Sequence, residues 1–202
     1  MASNIHEAML LDLLDLWGSD RVLAPGGRRV LAYDPPESGP WFDQRVPRSF
    51  ALRPQVEGDL GARMRDFFEA EFECGATRVV LIGSDAPTLD PSIIVSAFLC
   101  LEGRDVVIGP SADGGYYLVG CRNEVPTIFD GIAWSTSRVL SETIDRLNGS
   151  GQTLAVLPPG YDVDTPDDLR ALSGHLRALR RAGVSPGLPR TEAILEVAFP
   201  RG

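Results

Sequence analysis

The chain has 202 residues, 44% of them apolar and 23% charged, which suits one globular domain and excludes general disorder. Its 28 acidic residues against 19 basic ones give a net charge of −9, and a broad nucleic-acid interface needs clustered positive charge, so nucleic acid is excluded as a partner. All 19 basic residues are arginine, which removes lysine Schiff-base chemistry. The cysteines Cys74, Cys100 and Cys121 show no C-x-x-C spacing, and His6 and His175 lie far apart. Neither a disulfide framework, nor a zinc knuckle, nor a His-based triad is suggested. The apolar runs around 8–17 and 93–101 are too short, or too interrupted by acids, to span a bilayer. The N-terminus has no basic region and no cleavage site. A cytoplasmic protein with no membrane partner is expected.

In chain order, 5–17 reads as a helix with Ile5, Met9, Leu10, Leu13, Leu14 and Trp17 on a broad apolar face, closed by Gly18. Pro25-Gly26-Gly27 is a turn and 28–33 a short strand. The stretch 34–57 is rich in Pro, Gly and Ser without a clear period, and is expected to be a long surface excursion. Helix returns over 59–72. The continuous apolar run 78–83 is a buried strand of the parallel kind. A helix opens at Pro91 and runs to 101. Strands are expected at 105–109, 116–120 and 153–157, with a helix at 136–147. Asp164-Thr165-Pro166-Asp167-Asp168 is a strong helix start, with a cap, a first-turn proline and acids at the positive end of the dipole. That helix reaches about 181, and 184–190 is a linker. Strands alternating with helices predict a three-layer α/β/α domain. In such sheets ligands sit beyond the C-terminal ends of the strands, with 78–83 and 153–157 expected among the central ones.

The residues just after each strand therefore carry the candidate chemistry. In Gly83-Ser84-Asp85-Ala86-Pro87, Asp85 either holds a hard divalent cation through oxygen or makes an Asx turn. In Asp162-Val163-Asp164 an extended backbone turns both carboxylates to one side, where a cation would make their repulsion tolerable. The alternative is that Asp164 is only a helix cap. Asp113-Gly114-Gly115-Tyr116 is a hairpin tip, or a substrate loop in which glycines let backbone N–H groups approach a ligand while Asp113 takes its hydroxyls or a metal. The run from Gln55 through Gly58, Asp59 and Gly61 opens a helix, either as capping or as a nucleotide contact at the positive helix end. Arg63 and Arg65 lie in its first turns, within reach of a phosphate there.

The succession QVEGDLGARM, LIGSDAPTL, GPSADGGYYLVG, FDGIAWST and DVDTPDDL resembles a bacterial family of glycosyltransferase-A-like proteins, over roughly residues 5–175. Its members are often labelled radical-SAM/selenodomain-associated transferases. The fold and the D-x-D-T-P-x-D-L ending also look like those of nucleotidyltransferases such as 2-phospho-lactate guanylyltransferase. The resemblance implies a glycosyltransferase-A-like (nucleotide-diphospho-sugar transferase) fold with a mainly parallel mixed sheet. It implies a metal-dependent transferase of nucleotidyl or glycosyl groups, with Mg²⁺ or Mn²⁺ as cofactor and a nucleotide or nucleotide-sugar as partner. By that resemblance Asp85, Asp113 and Asp164 are catalytic, and Asp85 and Asp164 hold the metal. Gly83 and Ser84 accompany Asp85. Gln55, Gly58, Asp59, Gly61 and Arg63 match the nucleotide side, and Gly114, Gly115 and Tyr116 the acceptor-substrate loop. A non-catalytic relative that binds a nucleotide, a sugar or a partner protein is the other expectation.

Members of that family open with an apolar strand and a basic, glycine-containing segment, whereas this sequence opens at what matches their first helix. By resemblance that strand is central, between 28–33 and 78–83. The domain is expected to span 1–183, followed by 184–202 as linker and C-terminal segment. The apolar run 194–199 is expected to fill the central position, in its own subunit or swapped within a homodimer, with Arg201 near the phosphate site. The alternative is a terminal helix capped by Thr191.

Overall fold

The computed structural model describes residues 2–18 and 27–200. The proposed turn residues Pro25 and Gly26, and Arg201, lie outside them. Helix α1 (Ala2–Trp17) is followed by strand β1 (Arg29–Tyr33). The stretch expected to be a featureless excursion contains a 3-10 turn at Pro36–Ser38, helix α2 (Gly39–Arg45) and strand β2 (Phe50–Pro54). Then come α3 (Leu60–Glu73), β3 (Arg78–Ile82), α4 (Ser92–Cys100), β4 (Val106–Pro110) and β5 (Tyr116–Arg122). The chain ends with α5 (Val139–Ser150), β6 (Leu154–Val156), α6 (Pro166–Arg181) and α7 (Pro189–Ala198).

Strands β1 and β2 form a parallel pair, with Val30 beside Ala51 and Leu31 beside Leu52. The other four make a sheet in the order β3-β5-β4-β6. β5 is antiparallel to β3 and β4, while β4 and β6 are parallel. The interior strands are therefore β4 and β5, which corrects the expectation that 78–83 and 153–157 are central. β5 returns as a hairpin and wedges between β3 and β4. That topology cannot be read from runs of apolar residues, because buried strands of either direction look alike.

Side chains alternate across the sheet and sort into two layers. Val79, Val106, Ile108, Val119 and Cys121 pack under α3 and α5, against Met64, Phe68 and Leu147. Val107, Leu118 and Leu157 face the opposite way, against Ala97 and Leu101 of α4 and its end. On that second side α1, α6 and α7 join α4 around Met9, Leu13, Trp17, Ile94, Leu172, Leu176 and Leu195.

The C-terminal apolar run is helix α7, so it does not complete the sheet. Leu188, Thr191 and Leu195 are all buried, at helical spacing. The carboxylate of Asp12, fully buried on α1, accepts from the Thr191 N–H (2.8 Å), the Thr191 hydroxyl (2.9 Å) and the backbone N–H of Arg190 (3.2 Å). An acid from another helix thus satisfies donors that α7's first turn leaves unpaired.

Candidate functional site

Three loops at the C-terminal ends of the strands bring acids together. The first follows β3. Gly83 still belongs to the sheet, donating its N–H to the Tyr117 carbonyl (3.0 Å). The chain then turns, Ser84 is exposed, and the Asp85 carboxylate folds back over Gly83. A Cβ on Gly83 would run into the Asp85 carboxylate, so glycine is what lets that carboxylate fold back there.

The second loop follows β6. The Asp85 carbonyl accepts from the Val163 N–H (2.8 Å), which ties 162–164 to the first loop. Asp162 is half-buried; one of its oxygens takes the Ser111 hydroxyl, and the other is buried with no partner among the described residues. Asp164 is exposed. The choice left open for it resolves against the cap: Thr165 is the N-cap of α6 and forms a capping box with Asp168. The Asp164 carboxylate has no part in that box and stays available.

The third loop joins β4 to β5. Ser111 N–H bonds Gly115 O (3.0 Å), Gly114 N–H bonds Ser111 O (3.2 Å), and Asp113 accepts from the Gly115 N–H (2.8 Å). Gly114 has φ +94° and lies against the Ser137 backbone, where a Cβ would have no room. So this is a tight hairpin tip, and it also places Asp113 within electrostatic range of Asp85 and Asp162.

Burial raises the Asp85 carboxyl above its ordinary range, and the charges of Asp164 and Asp113 add to the rise; its own N–H and His6 oppose it. Asp162 is raised as well, by burial first, against the Ser111 hydrogen bond and with the charges of Asp85, Asp113 and Asp164. Burial is the larger cause in both, and the neighbouring acids add to it.

Other predicted residues stand apart from this cluster. Tyr116 does not offer its hydroxyl to the cleft: the ring packs edge-on to Trp134, and the buried hydroxyl sits beside Thr143, which corrects its assignment to the substrate loop. Alternation decides this, since Tyr116 must face the α5 side if Tyr117 faces the other. Tyr117 is instead the positioning residue that the sequence reading passed over. Its ring lies between Gly109 and Gly160, and its hydroxyl holds the Pro158 carbonyl (2.8 Å) at the start of the loop that carries Asp162. A Gly in each flanking segment and an aromatic in the hairpin were the available signal.

The nucleotide-side residues lie between β2 and α3. Asp59 caps α3, accepting from the Ala62 N–H (2.8 Å). Gly58 takes φ +132°, and Gly61 lies against the Phe129 carbonyl and the Trp134 ring, where a Cβ would come within 2.5 Å. Gly61 is thus a packing glycine. Arg63 bonds the Gly58 carbonyl, Asp34 (3.0 Å) and Gln55 (2.9 Å), and Arg65 pairs with Asp130. Both arginines are consumed by local pairs. Asp34 and Gln55 follow β1 and β2, so this group lies at the C-terminal end of its own sheet, as the acid cluster does.

Residues 20–136, more than half of the chain, match the family described as "Uncharacterized protein conserved in bacteria (DUF2064)". The chain belongs to DUF2064. Among solved structures, this DUF2064 chain is similar to a protein of Desulfovibrio desulfuricans G20 provisionally named a nucleotide-diphospho-sugar transferase. The identity is 29%, over 96% of this chain and 84% of that one, with a TM-score of 0.81. The α/β glycosyltransferase-A-like fold expected from the sequence is the fold found. A homologue of Rv0371c from Mycobacterium sp. strain JC1 shares the fold more loosely, at 16% identity, 85% and 84% coverage and a TM-score of 0.53. Rv0371c of Mycobacterium tuberculosis H37Rv was solved as a complex with manganese; at 18% identity, 83% and 85% coverage and a TM-score of 0.44, that likeness carries nothing over to this chain. No curated protein matches the sequence. Among the described residues no helix is long and apolar enough to cross a membrane.

Proposed function

We propose that this DUF2064 chain is a divalent-cation-dependent transferase acting on a nucleotide or nucleotide-sugar and moving a nucleotidyl or glycosyl group. One observation supports the reading: the loops after β3, β4 and β6 carry Asp85, Asp113, Asp162 and Asp164 near enough for their charges to act on Asp85 and Asp162, whose carboxyls are raised, first by burial. An uncompensated cluster of this kind costs folding free energy, and a cation held between the carboxylates removes that cost.

The donor set suits Mg²⁺ or Mn²⁺: it is all oxygen, and one Asp162 oxygen is buried without a partner. Asp85 and Asp164 would hold the ion, beside the unpartnered Asp162 oxygen. Among the described residues no three acids, histidines or cysteines are placed to bind a metal by themselves. Phosphate oxygens of the donor would complete the shell, as is usual for Mg²⁺. Such an ion neutralises charge that develops on phosphate during transfer.

The chain's own residues have separable tasks. Ser111 orients Asp162 by donating to one oxygen and leaves the other to the cleft. Gly83 leaves room for the Asp85 carboxylate. Asp113, exposed at the hairpin tip, is placed to accept a hydroxyl proton from an acceptor.

A second reading is favoured by the fate of Arg63 and Arg65. Each is tied to an acid, so neither is free to clamp a phosphate, and the scaffold could bind a nucleotide or sugar without turning it over. One experiment separates the readings. The protein is incubated with Mg²⁺ or Mn²⁺ and a panel of nucleoside triphosphates and nucleotide-sugars, with calorimetry for binding and ³¹P NMR for product. Release of pyrophosphate or nucleoside diphosphate, abolished in Asp85→Ala and Asp164→Ala, supports the transferase. Binding without release supports the second reading, and no metal-dependent binding refutes both.

A further inference from the structure

A second polar concavity lies at the opposite end of the sheet from the acid cluster. It is an open cavity of about 350 Å³ lined by Thr77, Arg78, Leu101, Glu102, Arg122 and Asn123. Arg78 opens β3, so roughly 15 Å of strand separates it from the loop that carries Asp85.

The strand register explains why two arginines meet there. Arg78 of β3 stands directly opposite Arg122 of β5. Asn123 donates its N–H to the Thr77 carbonyl and Gly83 donates to the Tyr117 carbonyl, so the odd-numbered residues of β3 form the hydrogen-bonded pairs. Arg78 and Arg122 are therefore a non-hydrogen-bonded pair, the kind in which facing side chains come closest. Val79 and Cys121 pack under α3 and α5, so by alternation both arginines emerge on the other face, beside the end of α4. Gly120 leaves room on that face for Leu101, whose side chain a Cβ would meet at 3.1 Å.

Like charges directly opposite each other on neighbouring strands disfavour the sheet. The acids nearby do not neutralise both. Glu102 reaches Arg78 at 3.3 Å, longer than a tight ionic hydrogen bond, and its side chain is 63% exposed. Asp105 gives its carboxylate to the Thr153 N–H (2.8 Å) and hydroxyl (2.6 Å). Arg122 forms no salt bridge among the described residues. Its Nη1 donates to the Glu102 carbonyl (3.0 Å), and Arg78 Nη1 donates to the Phe98 carbonyl (3.2 Å). These bonds satisfy carbonyls at the end of α4 and just beyond it, and every one of them, like the Glu102 contact, runs through Nη1. Nε and Nη2 of both guanidiniums are left over, together with the Thr77 hydroxyl and the Asn123 amide.

We infer that this cavity binds a phosphoryl group, as inorganic phosphate or as a phosphate monoester. One carboxylate has two oxygens and fills one guanidinium fork, whereas a phosphoryl group has a third oxygen and engages two forks at once. Arg122 takes two oxygens through Nε and Nη2, Arg78 takes the next, and Thr77 and Asn123 donate from the rim. Glu102 is the counter-ion that the ligand displaces: its long, exposed contact with Arg78 is worth little, and the arriving dianion replaces it. The site uses no residue of the acid cluster and needs no divalent cation, so it stands independently of the transferase reading.

Two-dimensional ¹H–¹⁵N spectra of the arginine Nε–Hε groups test this, in EDTA at pH 7 and constant ionic strength. Inorganic phosphate, glycerol 3-phosphate and malonate, a dicarboxylate of similar charge, are titrated separately into the 202-residue chain. The Arg78 and Arg122 signals shift saturably with the two phosphates and not with malonate. Arg122→Gln weakens binding about tenfold or more, and Glu102→Gln, which removes the counter-ion, tightens it about two- to fivefold. Shifts confined to other arginines, equal affinity in Arg122→Gln, or no tightening in Glu102→Gln overturns the inference. Malonate binding as tightly as phosphate overturns the assignment to a phosphoryl group. Should Arg122→Gln lose its fold, the opposite sign expected of Glu102→Gln still decides. Binding of glycerol 3-phosphate at least as tight as that of phosphate assigns a monoester as the ligand, and weaker binding assigns free phosphate.

Discussion

Asp12 anchors the terminal helix, and replacing it with alanine measures how much α7 depends on α1. The carboxylate is fully buried and receives four donors: two backbone N–H groups, the Thr191 hydroxyl and the Arg190 guanidinium at 3.0 Å. Alanine strips all four at once. Arg190 is the least affected, because it keeps Asp15 at 2.7 Å and is half exposed to water. The Thr191 N–H and hydroxyl are not so placed: Thr191 is completely buried away from water, and Asp12 is their partner among the described residues. At about 1–3 kcal/mol for each stranded donor, and with relief from desolvating the carboxylate set against that, the net loss is about 3 kcal/mol. In a chain of this size that lowers Tm by roughly 6–12 °C. Urea unfolding followed by circular dichroism gives the free energy, and calorimetry gives Tm. Asp12→Asn keeps one acceptor oxygen and should lose about half as much. Asp15→Ala, which breaks only an exposed pair, should lose less than about 1 kcal/mol. Equal losses for Asp12→Ala and Asp15→Ala would refute the reasoning, because the argument rests on burial and not on charge.

Asp85→Asn should stabilise the metal-free protein at pH 7. Its carboxyl is raised in the fold, so ionisation there opposes folding; the gain is full above the raised value, shrinks as the pH falls through it, and vanishes only below the ordinary value of 3.8, where Asp85 is protonated both folded and unfolded. Urea midpoints at pH 7, 5.5 and 4 in EDTA check this, and a gain that grows towards acid would contradict it. Gly83→Ala should displace the Asp85 carboxylate while costing the fold no more than about 1 kcal/mol, because the clash is with the end of a side chain. Calorimetry with Mn²⁺ and a nucleotide should then show about tenfold weaker binding, and unchanged affinity would argue against Asp85 as a ligand.

What the sequence disclosed depends on how local the deciding physics is. The start of α6 was legible because Thr165, Pro166 and Asp168 determine it within one turn. The strands β3 to β5 were legible from their apolar runs, and the loops after β3, β4 and β6 that carry the candidates Asp85, Asp113 and Asp164 follow from those strands. Strand β2 was hidden: Phe50-Ala51-Leu52-Arg53 is only a four-residue alternation between prolines, and it is stabilised from outside by β1 and by the Arg53–Asp66 pair. The helical state of α7 depends on Asp12, 179 residues before Thr191, and no reading of 189–198 alone contains that acid. Arg63 looked free for phosphate because its partners Asp34 and Gln55 lie in the stretch that had shown no structure.

The acid cluster is costly in each of its parts, and that cost bears on function. Asp162 could have been satisfied at both oxygens, yet Ser111 takes one and the other is left buried. Asp164 could have capped α6, yet Thr165 does so and leaves that carboxylate exposed. Asp85 needs a glycine beside it, where alanine would give a stiffer strand end. Each arrangement sacrifices some stability, and together they leave carboxylate oxygen without protein partners in the loops after β3 and β6, which are tied by the Val163 N–H donating to the Asp85 carbonyl. Surface acids scattered by composition would not be held in this way, since a net charge of −9 calls for no burial and no orientation. In the proposed reading, a cation held by Asp85 and Asp164 beside the unpartnered Asp162 oxygen would offset these costs. On that reading, binding and transfer both depend on the divalent ion.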